Sequence, residues 1–565
     1  MKYLALLSGG KDSCFNLLHC EKNGHELVAA ASLGPEGGKE ELDSYLYQTV
    51  GQDAIQFVAS ALEVPLYRRV ITGNAVEQGS EYGSRKPKTT GGVEGDETED
   101  LFALLSEVKA RNFLFYSHKD SFSNVVPPSR YPRDQGELFT EMINAGMEAV
   151  LIKVAGIELT VKHLGKTLAE MEPTLLKLNE LYGAHICGEG GEYESLALDC
   201  PLFKRRVVLT DVETVIHSDN DFATVAFLRI RNAVLEEKAA EQDFELAIPP
   251  LLDAEYLRLR DAVASSQEIS WTLSCIHTNE MKPFEGTVVA NTKKLNPWIS
   301  VSNIQRELQT PPVELSIEDE VVECFELLQA RLQGYGLDVS NCANINIFIS
   351  SIDLFARINA VYSTFFGSSP PARACVAVDL PAPIRVRLEC VAYAEVSAND
   401  RQALHVQGLS YWAPANIGPY SQAITAGERI FISGQIGMIP SQLTLPSPRS
   451  LALEVALASQ HISRISHVLK INSGIGWNGY SQLDLYWLAE TADLLRVKAV
   501  QCATREGPRI PTLYLVVKAL PKDALIEKQV LLHTGRCAIL DEDDGEMVMQ
   551  NQEPLFEQRK YDRSI

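Results

Sequence analysis

The sequence predicts an α/β protein in which an N-terminal domain built on a parallel β-sheet is followed by two smaller α+β modules. The first observation is that strand-like and helix-like stretches alternate through roughly the first 235 residues, a pattern typical of a parallel sheet covered by helices. The second is that residues 271–397 and 398–540 are weakly alike. Each block runs through strands, a long amphipathic helix, more strands, a shorter helix and a closing strand pair, which indicates a duplicated module.

The composition of the 565-residue chain is that of a folded protein, with 45% hydrophobic and 22% charged residues. These fractions exclude a wholly disordered, collagenous or coiled-coil chain. The net charge of -23 disfavours broad or stable binding to nucleic acids, because an acidic surface repels phosphate backbones. No apolar run reaches the roughly 18 residues of a membrane span, and the eleven cysteines contain no CxxC pair. We therefore expect a cytoplasmic protein that does not contact a membrane.

Local signals define the first elements of the N-terminal domain. Lys2–Leu7 and Glu26–Leu33 are apolar stretches of strand length. Between them Asp12–Lys22 is predicted as a helix, and Gly24 stands where a helix commonly ends. Ligand sites in parallel sheets lie beyond the carboxyl ends of the strands. The loop that follows Leu7 is therefore the expected position of a site.

The remaining segments are predicted from shifts in composition. Helices are predicted at Asp253–Val263, Ile317–Leu332, Phe355–Phe366, Leu451–Leu469 and Ala489–Gln501. The end of the chain contains the acidic run Asp541–Asp544, which is typical of a solvated tail. The predicted organisation is a domain over residues 1–235, a linker over 236–270, modules over 271–397 and 398–540, and a tail over 541–565.

The loop between the first strand and the first helix has the residues of a phosphate-binding site. Two glycines allow the backbone N–H groups to turn inward, and the helix N-terminus contributes a partial positive charge. A lysine adds a full charge, and two serine hydroxyls can bind phosphate oxygens. The residues of this loop are Ser8, Gly9, Gly10, Lys11, Asp12 and Ser13. The spacing is not that of a Walker A loop, which requires GxxxxGK followed by Ser or Thr.

A second candidate site is the segment His185–Ser195, in which three carboxylates stand among glycines. Glu189, Glu192 and Glu194 are residue types that hold Mg²⁺ or an ammonium ion or act as a general base. The alternative interpretation is an acidic turn at the surface without a chemical role.

Several motifs together resemble known families. SGGKDS resembles the loop of the ATP-pyrophosphatase (PP-loop) family, which cleaves ATP between its α and β phosphates. With five further motifs it resembles the diphthine–ammonia ligases, and the likeness covers most of residues 1–210 in the right order. The five are Glu41–Gly51, Pro65–Arg69, Glu94–Glu97, His163–Leu168 and Gly188–Ser195.

The resemblance implies a reaction and the residues that perform it. It implies that ATP, with Mg²⁺, adenylates the carboxylate of diphthine on translation elongation factor 2, after which ammonia displaces AMP and gives diphthamide. It assigns ATP to Ser8–Ser13. The implied catalytic residues are Lys11, Asp12, Glu189, Glu192 and Glu194, and those lining the substrate pocket are Tyr45, Gln48, Gly190 and Gly191.

The resemblance breaks between residues 111 and 132, where the family has a strand, a helix and a second strand. Here the segment has no clear periodicity, and Pro127–Pro128 would stop a helix. Either non-coding sequence has been translated in a faulty gene prediction, or the lineage has changed in a way that weakens activity. Two alternative functions stay open: a tRNA-modifying adenylating enzyme that shares the loop, and an ATP-binding scaffold without turnover.

The two C-terminal modules resemble YjgF/RidA-type proteins, some of which hydrolyse enamines and imines. The likeness rests on Ala413–Ala423 and Phe431–Gln435, while Pro371–Ala374 matches the arginine motif that grips a carboxylate in that family. Neither module is complete alone, so the resemblance implies a site shared between the two modules. Its candidate residues are Arg373, Glu389, Tyr420 and Ser421. The alternative is that the modules serve packing, oligomerisation or docking.

Overall fold

The computed structural model describes residues 1–35, 50–76, 85, 93, 95–110, 134–219, 224–238, 243–266, 288–308, 314–397, 400–472, 477, 479–504, 510–540 and 547–551. The chain divides into two compact units. The first comprises Met1–Gly83, Thr89–Pro249 and Gly408–Tyr411, and the second comprises Ser84–Lys88, Pro250–Gln407 and Trp412–Ile565. None of the described helices is long and apolar enough to cross a lipid bilayer.

The first unit begins with the predicted parallel sheet. Its strands are β1 (Lys2–Leu6), β2 (Glu26–Gly34) and β3 (Leu66–Val70), which pair in parallel in the order β1-β2-β3. Its helices are α1 (Lys11–Lys22), α2 (Ile55–Ala61), α3 (Glu97–Ala110), α4 (Gln135–Asn144) and α5 (Leu168–Tyr182). The parallel sheet at the N-terminus is thus confirmed, and the carboxyl ends of its three strands share one edge.

The later strands of the first unit form a second sheet that the sequence did not predict. They are β4 (Glu148–Ala155), β5 (Tyr193–Asp199), β6 (Arg205–Asp219) and β7 (Thr224–Glu237), in the order β5-β4-β7-β6. All their pairings are antiparallel, so the parallel arrangement that the sequence predicts is found in β1 to β3 and does not extend to these strands. β6 and β7 are joined between Asp219 and Thr224, which is too short for the crossover that parallel strands need.

One hydrophobic core joins the two sheets of the first unit. It contains Phe15 of α1, Ile55 of α2 and Leu151 of β4, each at most 1% exposed. Leu196 of β5 belongs to the same core. Because α1 and β5 share this core, the loop that precedes α1 is fixed next to β5.

The second unit contains the two C-terminal modules. Its helices are α6 (Ala254–Ser265), α7 (Ile317–Gln333), α8 (Phe355–Tyr362), α9 (Leu451–Asn472) and α10 (Thr491–Thr504). The strands up to the start of the second module are β8 (Asn291–Leu295), β9 (Trp298–Ile304), β10 (Cys342–Ile349), β11 (Ala372–Ala377), β12 (Val386–Tyr393) and β13 (Arg401–Leu404). The others are β14 (Ala423–Ala426), β15 (Arg429–Ile436), β16 (Tyr480–Leu488), β17 (Thr512–Val516), β18 (Ile526–His533), β19 (Arg536–Leu540) and β20 (Met547–Asn551).

The sheets of the two modules have matching topology. The first has the order β11-β10-β12-β9-β8, the second has the order β13-β14-β15-β18-β16-β17, and β19 and β20 form a separate pair. In the first module β10 lies parallel to β11 and antiparallel to β12. In the second module β16 lies parallel to β17 and antiparallel to β18 in the same way. The shared arrangement agrees with the duplication that the sequence indicates.

Two segments that the domain prediction placed outside its domains contain packed or paired elements, and the helix predicted at Asp253–Val263 is one of them. In the predicted linker, α6 packs in the second unit, where the Asp253 backbone N–H donates to Gln460 Oε1 at 2.7 Å and the Asp253 carboxylate pairs with Arg464 at 2.9 Å. In the predicted tail, β20 pairs antiparallel with β19. In both places backbone pairing or side-chain packing, which composition does not reveal, orders a polar stretch.

Candidate functional site

The glycine-rich loop joins the end of β1 to the start of α1. Gly9 has a φ of +80°, and a side chain there would bring a Cβ atom within 3.3 Å of Leu196 Cδ1. Glycine accepts this left-handed conformation without strain. Gly10 occupies the N-cap of α1 in an extended conformation and offers no side-chain cap. The first turn of α1 therefore presents backbone N–H groups that no N-cap side chain covers.

Hydrogen bonds of two serine hydroxyls stabilise the conformation of this loop. The Gly10 N–H donates to Ser8 Oγ at 3.3 Å, and Ser13 Oγ donates to the Gly10 carbonyl at 2.9 Å. The two serine hydroxyls are themselves 3.2 Å apart. These bonds hold both ends of the loop together around its glycines.

Lys11 is the charged residue at the centre of the loop. It is only 3% exposed, and its Nζ lies 2.6 Å from Asp12 Oδ2 and 5.4 Å from the centroid of the Tyr193 ring. A buried ammonium needs partners of this kind, because the loss of hydration is otherwise costly. The positive charge is therefore held in a defined place rather than on a freely moving side chain.

The loop and the acidic segment predicted as a second site lie together. The Lys11 backbone N–H donates to Ser195 Oγ at 3.1 Å, and the Ala197 N–H donates to the Gly9 carbonyl at 2.8 Å. The Ser195 acceptor and the Ala197 donor belong to β5, which begins at Tyr193, directly after the glycine-rich turn of the acidic segment. The structure thus brings the two motifs to one edge of the first unit.

The three predicted carboxylates occupy different surroundings. The buried Glu192 carboxylate accepts hydrogen bonds from the His185 N–H at 2.8 Å and the Gly190 N–H at 3.0 Å. Glu194 Oε1 lies 3.3 Å from Lys153 Nζ on the neighbouring strand β4. Glu189 is exposed, and its backbone N–H lies 3.4 Å from His185 Nδ1. Glu192 therefore closes the turn, and Glu189 presents its carboxylate to solvent.

The glycines of the acidic segment make this closed turn possible. A Cβ atom at Gly190 would lie 2.6 Å from Glu192 Oε1, so the turn needs a glycine at this position. The substrate-binding role predicted for Gly190 is a separate proposal. Gly191 has a φ of +83°, a conformation that favours glycine.

Tyr193 and Cys187 are two further side chains of the turn whose pKa values depend on their surroundings. Tyr193 is buried and donates its hydroxyl to the Ile186 carbonyl at 2.7 Å. Burial raises the pKa of Tyr193 well above its usual value, and the nearby Cys187, Asp12, Glu192 and Glu189 add to the shift. Burial also raises the pKa of Cys187 to about 11, and the positive charge of Lys11 opposes this shift. Both groups are neutral at physiological pH, so neither adds a charge to the turn.

A further group of hydrogen bonds lies beyond β3, at the same edge of the parallel sheet. Asp100 of α3 accepts hydrogen bonds from the backbone N–H groups of Thr72 at 2.7 Å and Gly73 at 2.9 Å. Burial alone would raise the pKa of Asp100, but these hydrogen bonds outweigh it and the pKa is lowered. Asp96, from the motif Glu94–Glu97, is buried and accepts from the Thr98 N–H at 2.8 Å at the start of α3. The described part of the motif therefore anchors a helix.

Some predicted features lie outside the described residues. These are Tyr45, Gln48, Glu94, the segment 111–132 and the acidic run Asp541–Asp544. Among the residues that the structure does describe, no group of three or more His, Cys, Asp or Glu side chains is placed to hold a metal ion.

The second unit contains a pocket formed by both C-terminal modules. The first module contributes Phe355, Arg373 and Cys375, and the second contributes Tyr420, Gln435 and Glu527 among others. Arg373 is 3% exposed, its Nη1 donates to Asn359 Oδ1 at 2.7 Å, and its guanidinium lies 5.4 Å from the Tyr420 ring. The structure thus brings together Arg373 and Tyr420, two of the four residues that the RidA resemblance implies.

The other two residues of the implied RidA-like site lie elsewhere. Ser421 is fully buried, and its Oγ donates to the Pro370 carbonyl at 2.7 Å. Glu389 does not line the pocket, and the carboxyl group that does so is Glu527 of β18. Sequence reasoning missed Glu527, which lies in the other module from Arg373, and Asn359, which lies 14 positions before Arg373 in the same module. Neither relationship leaves a local signal. It also passed over Tyr193 and Ser195, whose spacing of two in a strand places them on one face of β5.

The two units define the class of the protein: an α/β domain with a phosphate-type loop, followed by YjgF/RidA-like folds. The model described as "Diphthamide synthase N-terminal domain" matches residues 1–85, and "Diphthamide synthase C-terminal domain" matches 134–232. "Endoribonuclease L-PSP" matches 291–396.

Relatives extend the likeness over nearly the whole chain. Diphthine–ammonia ligase of Schizosaccharomyces pombe is 36% identical over 95% of this chain and 89% of its own length. The human diphthine–ammonia ligase is 44% identical over 42% of this chain and 94% of its own length. A solved RidA from Psychrobacter sp. PAMC 21119 is 26% identical with a TM-score of 0.19, covering 23% of this chain and 98% of that one. The chain belongs to the diphthine–ammonia ligase family, whose members are ligases that form carbon–nitrogen bonds.

Proposed function

We propose that the first unit converts diphthine on translation elongation factor 2 into diphthamide, using ATP and ammonia. The observation that carries the proposal is the hydrogen bond between the Lys11 N–H and Ser195 Oγ, which joins a phosphate-type loop to the acidic segment. An ATP molecule held by the loop would have its α-phosphate beside the carboxylates and the glycine backbone of the acidic segment. The family to which the chain belongs supports the same substrates.

The loop residues would hold the two outer phosphates of ATP. Lys11 supplies a buried positive charge that Asp12 and Tyr193 keep in place, and the uncapped first turn of α1 supplies N–H donors. Ser8 and Ser13 hydroxyls would exchange their internal bonds for phosphate oxygens. We expect Mg²⁺ to arrive with the phosphates and to neutralise their charge, since the described residues provide no cluster of ligands of their own.

The reaction then consists of two balanced transfers. An oxygen of the diphthine carboxylate attacks the α-phosphorus, the bond to the β-phosphate oxygen breaks, and pyrophosphate leaves. Ammonia next attacks the carbonyl carbon of the acyl-adenylate, loses a proton, and displaces AMP as the amide forms. Lys11 stabilises the charge of the leaving pyrophosphate because it is fixed in a site of low water content.

Glu189 is the carboxylate best suited to handle ammonia. Its side chain is exposed at the turn, whereas Glu192 is occupied by two backbone N–H groups and Glu194 lies against Lys153. The Glu189 carboxylate would attract ammonium to the turn and accept the proton that the nitrogen loses as it attacks the acyl-adenylate. Glu192 and Glu194 would act by positioning the turn.

The test is amidation of diphthine-bearing elongation factor 2 by the purified full chain with ATP and ammonium, followed by mass spectrometry of the modified histidine. We expect amide, AMP and pyrophosphate in equal amounts. Lys11→Met should abolish product and weaken ATP binding, while Lys177→Met, at an exposed lysine of α5, should leave both unchanged. Amidation by Lys11→Met at the wild-type rate would refute the proposal.

The same assay separates the two alternative functions. Pyrophosphate release with tRNA, but not with the elongation factor, would indicate a tRNA-modifying enzyme. ATP binding without pyrophosphate release on either substrate would indicate a scaffold.

A second function is favoured by the pocket of the second unit. We propose that it binds a small carboxylate, because the buried Arg373 guanidinium donates to the neutral Asn359 amide and has no carboxylate within ion-pair distance in the described part of the chain. A buried charge without a counter-ion is costly, and a ligand carboxylate would relieve that cost. Calorimetric titration of the full chain with propionate should show binding that the uncharged propionamide lacks. Arg373→Met should remove it, and equal binding of both compounds would contradict the proposal.

A further inference from the structure

The turn that follows β4 has a strained backbone. Ile157 and Glu158 have φ angles of +50° and +58°, and a hydrogen bond from the Leu159 N–H to the Gly156 carbonyl at 3.0 Å closes the turn. Positive φ angles favour glycine or asparagine, and a β-branched residue such as isoleucine adopts them only under strain. Both side chains are exposed, so their burial does not offset this strain. Strained residues of this kind are concentrated at functional sites.

This turn lies near the phosphate-type loop of the first unit. β4 pairs antiparallel with β5, and β5 lies alongside the loop, where the Ala197 N–H donates to the Gly9 carbonyl at 2.8 Å. The end of β4 is also fixed to the acidic segment, because the Ala155 N–H donates to the Glu192 carbonyl at 2.8 Å. Adjacent strands are about 4.8 Å apart, so the turn begins about 10 Å across the sheet from the loop. A gap of this size can hold the α-phosphate of a nucleotide and the group with which it reacts.

An aromatic residue at the end of α5 holds the Glu158 side chain in place. Tyr182 is 55% exposed, and its hydroxyl donates to Glu158 Oε1 at 2.6 Å. Glu194, on the neighbouring strand β5, pairs with Lys153, whereas Glu158 forms no ion pair with any lysine or arginine in the described ranges. The surface therefore presents an aromatic ring next to a carboxylate that has no counter-ion among these residues.

The substrate of the proposed function carries a group that this pair of side chains fits. Diphthine is a histidine derivative in which the carboxylate to be amidated and a trimethylammonium group are attached to the same carbon. A quaternary ammonium has no N–H group to donate, and it is attracted by the face of an aromatic ring and by a negative charge. We propose that Tyr182 and Glu158 bind the trimethylammonium group of diphthine and thereby hold its carboxylate near the nucleotide. This inference rests on the proposed amidation by the first unit.

The test compares two forms of elongation factor 2 as substrates of the full chain, one with diphthine and one whose otherwise identical side chain carries an unmethylated ammonium. The wild type should have the higher kcat/KM for diphthine, because an unmethylated ammonium is more strongly hydrated. Tyr182→Leu should lower kcat/KM for diphthine by about five- to thirtyfold, leave the unmethylated form nearly unaffected and keep the KM for ATP. Tyr182→Phe retains the ring and should retain the preference for diphthine.

Glu158→Gly separates a role in binding from a role in stability. Glycine accepts the φ angle of this position without strain, so the variant should unfold at no lower temperature than the wild type. Its kcat/KM should fall for both forms of the factor, because the carboxylate attracts either cation. Wild-type kcat/KM in Glu158→Gly would overturn the part assigned to Glu158. The matched control is Leu176→Ala at an exposed position of α5, which should keep the wild-type preference.

The outcomes distinguish this inference from the function on which it rests. Amidation with equal preference for diphthine in the wild type and Tyr182→Leu overturns the role of the pair alone, and so does a wild type that uses both forms equally well. A Tyr182→Phe variant that loses the preference as completely as Tyr182→Leu overturns recognition by the ring. Absence of amidation by the wild type with either form overturns the proposed function, and the binding of diphthine by this pair is then overturned as well.

Discussion

The backbone N–H of Lys11 donates a hydrogen bond to Ser195 Oγ at 3.1 Å across 184 positions of sequence. Both residues are buried, so no water replaces the contact. The bond makes the conformation of the glycine-rich loop depend on the strand that follows the acidic segment. Two motifs that are separate in sequence thereby form one structural unit.

Ser195→Ala tests this dependence directly. The variant leaves the buried Lys11 N–H without an acceptor, which should lower the free energy of unfolding by about 1–3 kcal/mol and raise KM for ATP. Chemical denaturation and steady-state kinetics measure the two effects. Ser60→Ala, at an exposed position of α2 in the same unit, should alter neither. A stable Ser195→Ala variant with unchanged KM would show that the bond has no influence on the loop.

Glu192→Ala should destabilise the first unit, because two backbone N–H groups, those of His185 and Gly190, lose their acceptor. We expect a loss of about 2–4 kcal/mol in the free energy of unfolding. Glu192→Gln keeps one acceptor oxygen and should lose less. Denaturant titration of both variants provides the measurement, and equal stability of Glu192→Ala and wild type would contradict the closing role of this carboxylate.

Glu189→Gln should leave stability unchanged, since its exposed side chain holds no part of the turn. It should raise KM for ammonium or lower kcat by at least tenfold, while KM for ATP stays the same. Initial rates at varied ammonium concentration measure this effect. A wild-type rate at limiting ammonium would exclude Glu189 from the amidation step.

Gly434→Ala should disrupt the second unit, because the added methyl group overlaps with the Glu527 carboxyl group. Overpacking of this kind typically costs about 1–3 kcal/mol. The double variant Gly434→Ala/Glu527→Ala removes the clash and should be more stable than the sum of the single effects predicts. Strictly additive free energies of unfolding would indicate that the two residues do not meet.

His461 should make the second unit sensitive to acid. Burial lowers the pKa of His461 to about 4, and its Nε2 lies 2.9 Å from the Met438 carbonyl oxygen. The unfolded chain takes up a proton near pH 6.5 and the folded chain does not, so stability falls as pH drops from about 6.5 towards 4. Between pH 7 and pH 5 the wild type should lose about 2 kcal/mol more than His461→Gln. Parallel losses, measured by denaturation at both pH values, would contradict this expectation.

Much of the first unit could be predicted because its signals are local. The apolar stretches before and after the glycine-rich loop correspond to β1 and β2, and α1 begins one residue before its predicted start. The same is true of α7 in the second unit, which begins at Ile317 as predicted. There the Ser316 hydroxyl caps the helix by accepting from the Asp319 N–H at 3.0 Å. Helices and strands whose limits depend on neighbouring residues can thus be predicted from a single sequence.

Features that depend on distant partners could not be predicted in this way. The direction of β4 to β7 depends on which strands meet, and alternation of helix and strand does not determine it. The spacing of Glu189, Glu192 and Glu194 places all three in one segment, but their different surroundings follow from how the turn folds. Glu527 and Arg373 line the same pocket only because elements of two modules pack together.

The Arg373 pocket is built from both modules of a single polypeptide. Its two halves are covalently joined, so their effective concentration is set by the chain and not by how much protein is in solution. Dilution that would separate an assembly of independent subunits leaves this pocket intact. Each molecule therefore has both halves of the pocket at any expression level, because one gene encodes both modules.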